Sequence, residues 1–133
     1  MKFILDSDTT IYYLRDYPSV TRKVAKFRMN ELSISSMAYA EVMVGAYRSK
    51  QDTKRKIYTI SELLKLFTIV DFDSYAAEVF AETKAVLMRS GKVIEDSDLI
   101  IASIAIANAM TLVTNNMKHF KRIPGLKLEN WTK

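Results

Sequence analysis

The chain has 133 residues, 49% of them hydrophobic and 11% aromatic, which is enough for one globular domain over 1–133 and too little for two. Cysteine is absent, excluding disulfides and thiolate metal sites. No apolar run reaches the roughly 20 residues that cross a bilayer and the N-terminus lacks the form of a secretory signal, so no membrane association and a cytoplasmic location are expected.

The net charge of +5 is uneven: residues 1–66 hold 12 basic and 7 acidic side chains, 67–117 hold 3 and 7, and 118–133 hold 5 and 1. An acidic centre with basic flanks suits a polyanion held near a metal ion. Each basic cluster taken alone is more simply a solvated helix face.

In chain order, Phe3-Ile4-Leu5 reads as a buried strand. A helix follows from about Thr9, capped by Ser7 or Asp8 and stopped by Pro18. Val20, Val24 and Phe27 recur at helical spacing and predict a second short helix over Val20 to Met29. Leu32-Ser33-Ile34-Ser35 is a strand, and Ser35 or Ser36 caps the long helix that carries Glu41. An amphipathic helix spans about Thr53 to Leu66, then Phe67 to Val70 forms a third strand. The helix from Ser74 ends at Gly91, where a C-terminal glycine belongs. An all-round apolar helix from Asp96 precedes the strand Thr111 to Thr114. A turn over Asn115-Asn116-Met117 follows, and Leu126-Lys127-Leu128 can form an edge strand. Short apolar strands alternating with helices predict an α/β fold, a short central parallel sheet with helices on both faces. Sites in such folds lie at the carboxyl ends of strands.

Four acids sit beside apolar surface. Asp6 ends the first strand, Glu41 is the only charged residue between Met37 and Tyr47, and Asp96 and Asp98 open the run Leu99 to Ala107. A buried carboxylate must protonate or find a cation, and no Lys or Arg lies close in sequence to Asp6 or Glu41. Meeting at one point, several such acids would bind a divalent ion through oxygen. Asp6 can also be read as a helix cap. Of the pair at the later helix start, Asp96 is the better cap and Asp98 the better ligand. The chain's one histidine, His119, stands beside Lys118 and Lys121 and reads as a surface residue rather than a general base.

Taken together, the residues resemble the PIN-domain ribonucleases, in particular the VapC toxins of toxin–antitoxin pairs, over essentially the whole chain. The resemblance is carried by Phe3-Ile4-Leu5-Asp6, Ser35-Ser36-Met37-Ala38-Tyr39-Ala40-Glu41-Val42 with Gly45 following, Asp98-Leu99-Ile100-Ile101-Ala102, Leu112-Val113-Thr114-Asn115-Asn116 and Phe120 to Leu126. It implies a single PIN-like domain with Asp6, Glu41 and Asp98 as the metal-binding acids of a Mg²⁺- or Mn²⁺-dependent RNA endonuclease. Asp96 and Asn116 are further candidate ligands, and Ser7, Asp8, Thr114, Asn115, Arg48 and Lys118 candidate RNA contacts. It also implies a homodimer and a small VapB-like antitoxin that inserts a segment into the active-site groove. Tyr39, Met43 and Tyr47, at i, i+4 and i+8 on the Glu41 helix, form a stripe that could face the second copy. Many relatives carry a fourth acid where Asn116 stands, so one tightly held ion is the expectation. Two alternatives compete. Asp6-Ser7-Asp8-Thr9-Thr10 also fits the Asp-x-Asp-x-Thr of haloacid-dehalogenase-type phosphatases, though that reading gives Glu41 no role. A catalytically inactive PIN-like interaction domain is the other.

Overall fold

The computed structural model describes residues 2–133. Five strands, β1 (Phe3–Leu5), β2 (Leu32–Ser35), β3 (Thr68–Val70), β4 (Thr111–Val113) and β5 (Leu128–Glu129), form one sheet in the order β3-β2-β1-β4-β5. Every neighbouring pair is parallel, with Leu5 opposite Ile34 on one side and Val113 on the other. Seven helices connect them: α1 (Ser7–Leu14), α2 (Pro18–Val24), α3 (Ser36–Tyr47), α4 (Thr53–Leu64), α5 (Ser74–Arg89), α6 (Asp96–Ala107) and α7 (Met117–Phe120). None among the described residues is long and apolar enough to cross a membrane.

Side chains alternate across a strand, so a fully apolar strand feeds two cores. Ile4 and Leu112 pack with Leu87, Leu99, Ile101 and Phe120 on one face. Phe3, Leu5, Leu32, Ile34 and Val113 pack with Val20, Val24, Val42 and Leu64 on the other. Helix α6 forms despite its isoleucines, because it is buried on nearly all sides and its one polar interior group is satisfied. The Ser103 hydroxyl donates to the Leu99 carbonyl at 2.6 Å.

Several local expectations shift. Asp6 itself caps α1, because its carboxylate reaches the Thr9 amide, so the helix starts at Ser7 rather than Thr9. Pro18 opens α2 instead of only stopping α1; a first-turn proline loses no helical hydrogen bond. Helix α2 ends at Val24, and Met29–Glu31 is a 3₁₀ turn. The segment after Asn116 winds into α7 rather than a turn, and β5 is only Leu128–Glu129. The Tyr39, Met43 and Tyr47 stripe on α3 is not a free face. Met43 is buried in the second core, Tyr39 packs against it, and only Tyr47 is exposed, at 65%.

Candidate active site

The chain walks outward from β1 through β2 to β3, then returns across the sheet to β4 and β5. The reversal leaves a crevice between the carboxyl ends of β1 and β4, the usual place for a site in an open parallel sheet. Asp6 follows β1 and Thr114, Asn115 and Asn116 follow β4. Cavities of about 580 and 350 Å³ lie elsewhere, towards the far end of α1 around Leu14 and Leu63.

Asp6 is held by main chain on all sides. Its amide donates to the Val113 carbonyl at 3.0 Å, its carbonyl accepts from the Thr10 amide and hydroxyl, and its carboxylate accepts from the Thr9 amide at 2.8 Å. It is 6% exposed. Burial pushes its carboxyl above the usual aspartate range, the Thr114 and Thr9 hydroxyls and the Thr9 amide oppose that push, and nearby Asp8 adds to it.

Glu41 reaches the same edge because Ser35, at the carboxyl end of β2, caps α3 by accepting from the Ala38 amide at 2.9 Å. Glu41 therefore sits in the second turn, and its Oε1 accepts from the Ser7 hydroxyl, next to Asp6, at 2.5 Å.

Asp98 stands in the first turn of α6, and its Oδ2 lies 3.0 Å from Nε2 of His119 on α7. Burial raises its carboxyl, His119 counters this, and Glu95 and Asp8 push the same way as burial. Asp8 thus lies within the field of both Asp6 and Asp98.

The three acids share one edge but do not close into a cage. Among the described residues no three His, Asp or Glu side chains are close enough to hold an ion as they stand. Glu41 is turned to Ser7 and Asp98 to His119, and like charges have no reason to approach further unaided. The donor chemistry nonetheless fits a hard divalent cation, being oxygen throughout with one imidazole nearby. Among the described residues no Lys or Arg pairs with Asp6, Glu41 or Asp98.

The PIN domain family matches residues 3–126. Ribonuclease VapC2 of Rickettsia felis is 36% identical over 135 residues, covering both chains in full. The tRNA(fMet)-specific endonuclease VapC of Salmonella typhimurium is 30% identical over 98% of each chain. The crystal structure of VapBC2 from Rickettsia felis bound to a promoter DNA fragment superposes with a TM-score of 0.89 at 35% identity, over 98% of this chain and 99% of that one. The chain belongs to the PIN-domain family, as a VapC-type ribonuclease.

Within that family frame the Asp-x-Asp-x-Thr reading falls away. Thr10 is fully buried and its hydroxyl is spent on the Asp6 carbonyl, while the Thr9 hydroxyl faces the Val113 carbonyl. Other expected PIN-domain site residues separate. Asp96 neither caps α6 nor joins the cluster; Glu95 is the N-cap, and Asp96 pairs with Lys84 at 2.9 Å in solvent. The Asn115 amide donates to the Tyr12 hydroxyl at 3.2 Å, and the Asn116 amide N–H to the Thr114 hydroxyl at 3.0 Å. Lys118 is exposed on α7. Arg48 lies at the far end of α3, roughly 10 Å along the helix from Glu41 at 1.5 Å per residue. His119 is not the free surface residue that its lysine neighbours suggest. No local signal could have paired it with Asp98, which is 21 residues away and on another helix.

Proposed function

We propose that this VapC-type ribonuclease is a metal-dependent endoribonuclease, the toxin of a toxin–antitoxin pair. Asp6, Glu41 and Asp98 would hold Mg²⁺ or Mn²⁺, with Asp8 and Asn116 as nearby oxygens. What carries the reading is a carboxylate edge with no lysine or arginine on it: Asp6 is buried, with Glu41 oriented beside it by Ser7 and Asp98 by His119. When bound, a divalent ion supplies charge compensation for phosphoryl oxygens and lowers the pKa of a coordinated water.

The chain's own part is positional. Thr9 and the backbone fix Asp6, Ser7 orients Glu41, and His119 orients Asp98. Asn115 and Lys118 would meet the RNA backbone, a reading supported by their exposure just past β4. Hydrolysis of this type leaves 5′-phosphate and 3′-hydroxyl ends. The inactive-domain alternative gives no reason for three acids to be kept without cations.

The relatives crystallised as VapBC complexes support a VapB-like antitoxin as partner. A homodimer is proposed on the family resemblance and on the exposed Leu66, Ile69, Phe72 and Tyr75 around edge strand β3. Sedimentation showing only monomer at high concentration would remove it.

The deciding experiment incubates the purified protein with total cellular RNA plus Mg²⁺ or EDTA and sequences the new ends, alongside Glu41→Gln. The amide keeps the shape and removes the charge, so cleavage should fall roughly a hundredfold or more. Full cleavage by folded Glu41→Gln sinks the assignment.

A further inference from the structure

We propose that His119 is a positioning residue for the candidate metal site: it holds Asp98 turned away from its own helix end, leaving one carboxylate oxygen free at the crevice. The proposal rests on Asp98 being a metal-site acid, as argued above.

A carboxylate at the third position of a helix can fold back towards the free amides at the helix start. Asp98 occupies that position on α6, counting from Asp96, yet its Oδ2 is engaged by His119 Nε2 at 3.0 Å. The contact joins two elements, α6 and α7, and neither side chain is free in solvent, at 21% and 32% exposed.

His119 is itself fixed. Its ring meets the edge of Phe120 at 5.2 Å and 80°. Phe120 and Ile123 are buried in the core beneath it, and the Ile123 amide donates to the Phe120 carbonyl. Helix α7 is thereby pinned at the carboxyl end of β4, where the crevice opens.

The neighbouring acid shows what the alternative looks like. Asp96 has a lysine partner, Lys84, which neutralises it in solvent. An imidazole Nε2 offers a single hydrogen bond to one carboxylate oxygen, whereas Lys and Arg carry several donors that can cover both. The second oxygen of a carboxylate held this way stays open to a cation. Partners of this kind, one step removed from the ion, typically account for 10–100-fold in metal affinity.

The test measures Mn²⁺ binding to the purified full chain by electron paramagnetic resonance of the free ion, with thermal unfolding to check folding. His119→Leu and His119→Phe both remove the donor, and the second keeps a ring against Phe120. Each should weaken Mn²⁺ binding by roughly 10–100-fold. His119→Gln, which can still donate, should stay within about threefold of wild type, since the hydrogen bond survives. In an Asp98→Asn background, His119→Leu should add less than about twofold, because the two act as one unit. Cleavage by His119→Phe should recover as Mn²⁺ is raised. Wild-type Mn²⁺ affinity in a folded donor-less variant overturns the proposal alone, and so does an undiminished loss in the Asp98→Asn background. A wild-type protein that binds Mn²⁺ no better than Asp98→Asn overturns the metal-site reading and the proposal with it.

Discussion

Asp6 and Asp98 flank one crevice and are held in opposite ways. Asp6 accepts from a backbone amide of its own helix and donates its own amide to a carbonyl of β4, so its position is inherited from the sheet and can hardly vary while the sheet exists. Asp98 is oriented by a single side chain on a four-residue helix, and it is about a third exposed. Both carboxyls are pushed upward by burial, but only Asp98 has a partner that can be removed without touching the fold. One side of the site is therefore built in advance, and the other can be adjusted.

Four measurements test that contrast. The largest effect is on cleavage. Asp6→Asn and Asp98→Asn should each lower metal-dependent RNA cleavage by roughly a hundredfold or more, about 3 kcal/mol of transition-state stabilisation, although one acid is rigid and the other adjustable. Retained cleavage in Asp6→Asn would reduce Asp6 to a helix cap.

Next in size is the response to metal. Mn²⁺ at a hundred times its dissociation constant should stabilise the wild type by about 2.7 kcal/mol, read as a higher unfolding midpoint, and should do so far less for Asp6→Asn. Equal stabilisation of both would place the ion elsewhere.

The third is a pH dependence whose sign follows from burial. The folded pKa of Asp6 lies above its unfolded value, so the native state pays for ionising it as pH rises through that window, and the cost is complete above the folded pKa. Asparagine caps a helix as well as aspartate does and carries no charge. Metal-free Asp6→Asn should thus be more stable than wild type at pH 7 by roughly 1 kcal/mol. The gain should shrink on acidification and vanish near about pH 3, where the carboxyl is protonated in both states. Asp98→Asn should gain less, because that site is more open and keeps a hydrogen-bond partner. Urea denaturation at several pH values reads both, and a gain for Asp6→Asn that grows towards low pH would contradict the burial argument.

The smallest effect lies at the far end of the Asp98 helix. Helices α5 and α6 end in the same motif, with Lys92 bonding the Leu87 carbonyl and Met110 that of Ala105. The left-handed position is Gly91 in one and Ala109 in the other, at φ +70° and +53°. Ala109→Gly should raise stability by about 0.5–1 kcal/mol and Gly91→Ala lower it by a similar amount, with the RNA sites cut unchanged. Thermal unfolding distinguishes the two signs.

Much of this was legible in the chain. Apolar triplets such as Phe3-Ile4-Leu5 and helical spacing with end glycines define α/β elements without tertiary information, and a parallel sheet follows from their alternation. The acids stood out because Glu41 lies alone among apolar neighbours. Helix ends were less legible, since Asp6, Ser7 and Asp8 are all able caps and only the pairing of β1 with β4 decides among them. The partners of Glu41 and Asp98 were not legible at all. Ser7 and Glu41 are 34 residues apart, His119 and Asp98 are 21 apart, and such meetings depend on how helices are laid over the sheet. The Lys84–Asp96 pair, which removes Asp96 from the cluster, is of the same kind.

The place of β1 in the sheet also sets a clock. It is the first strand made and the central one, yet its partner β4 pairs Val113 with Leu5, about a hundred residues later. At the usual 5–20 residues per second of synthesis, that separation lasts on the order of 5–20 s. Throughout that interval the crevice between β1 and β4 does not exist, and a nascent chain carrying Asp6 and Glu41 has only half a site. Such long-range pairing also slows folding after release. An edge that needs strands from both ends of the chain is thus among the last parts of the fold that synthesis makes possible.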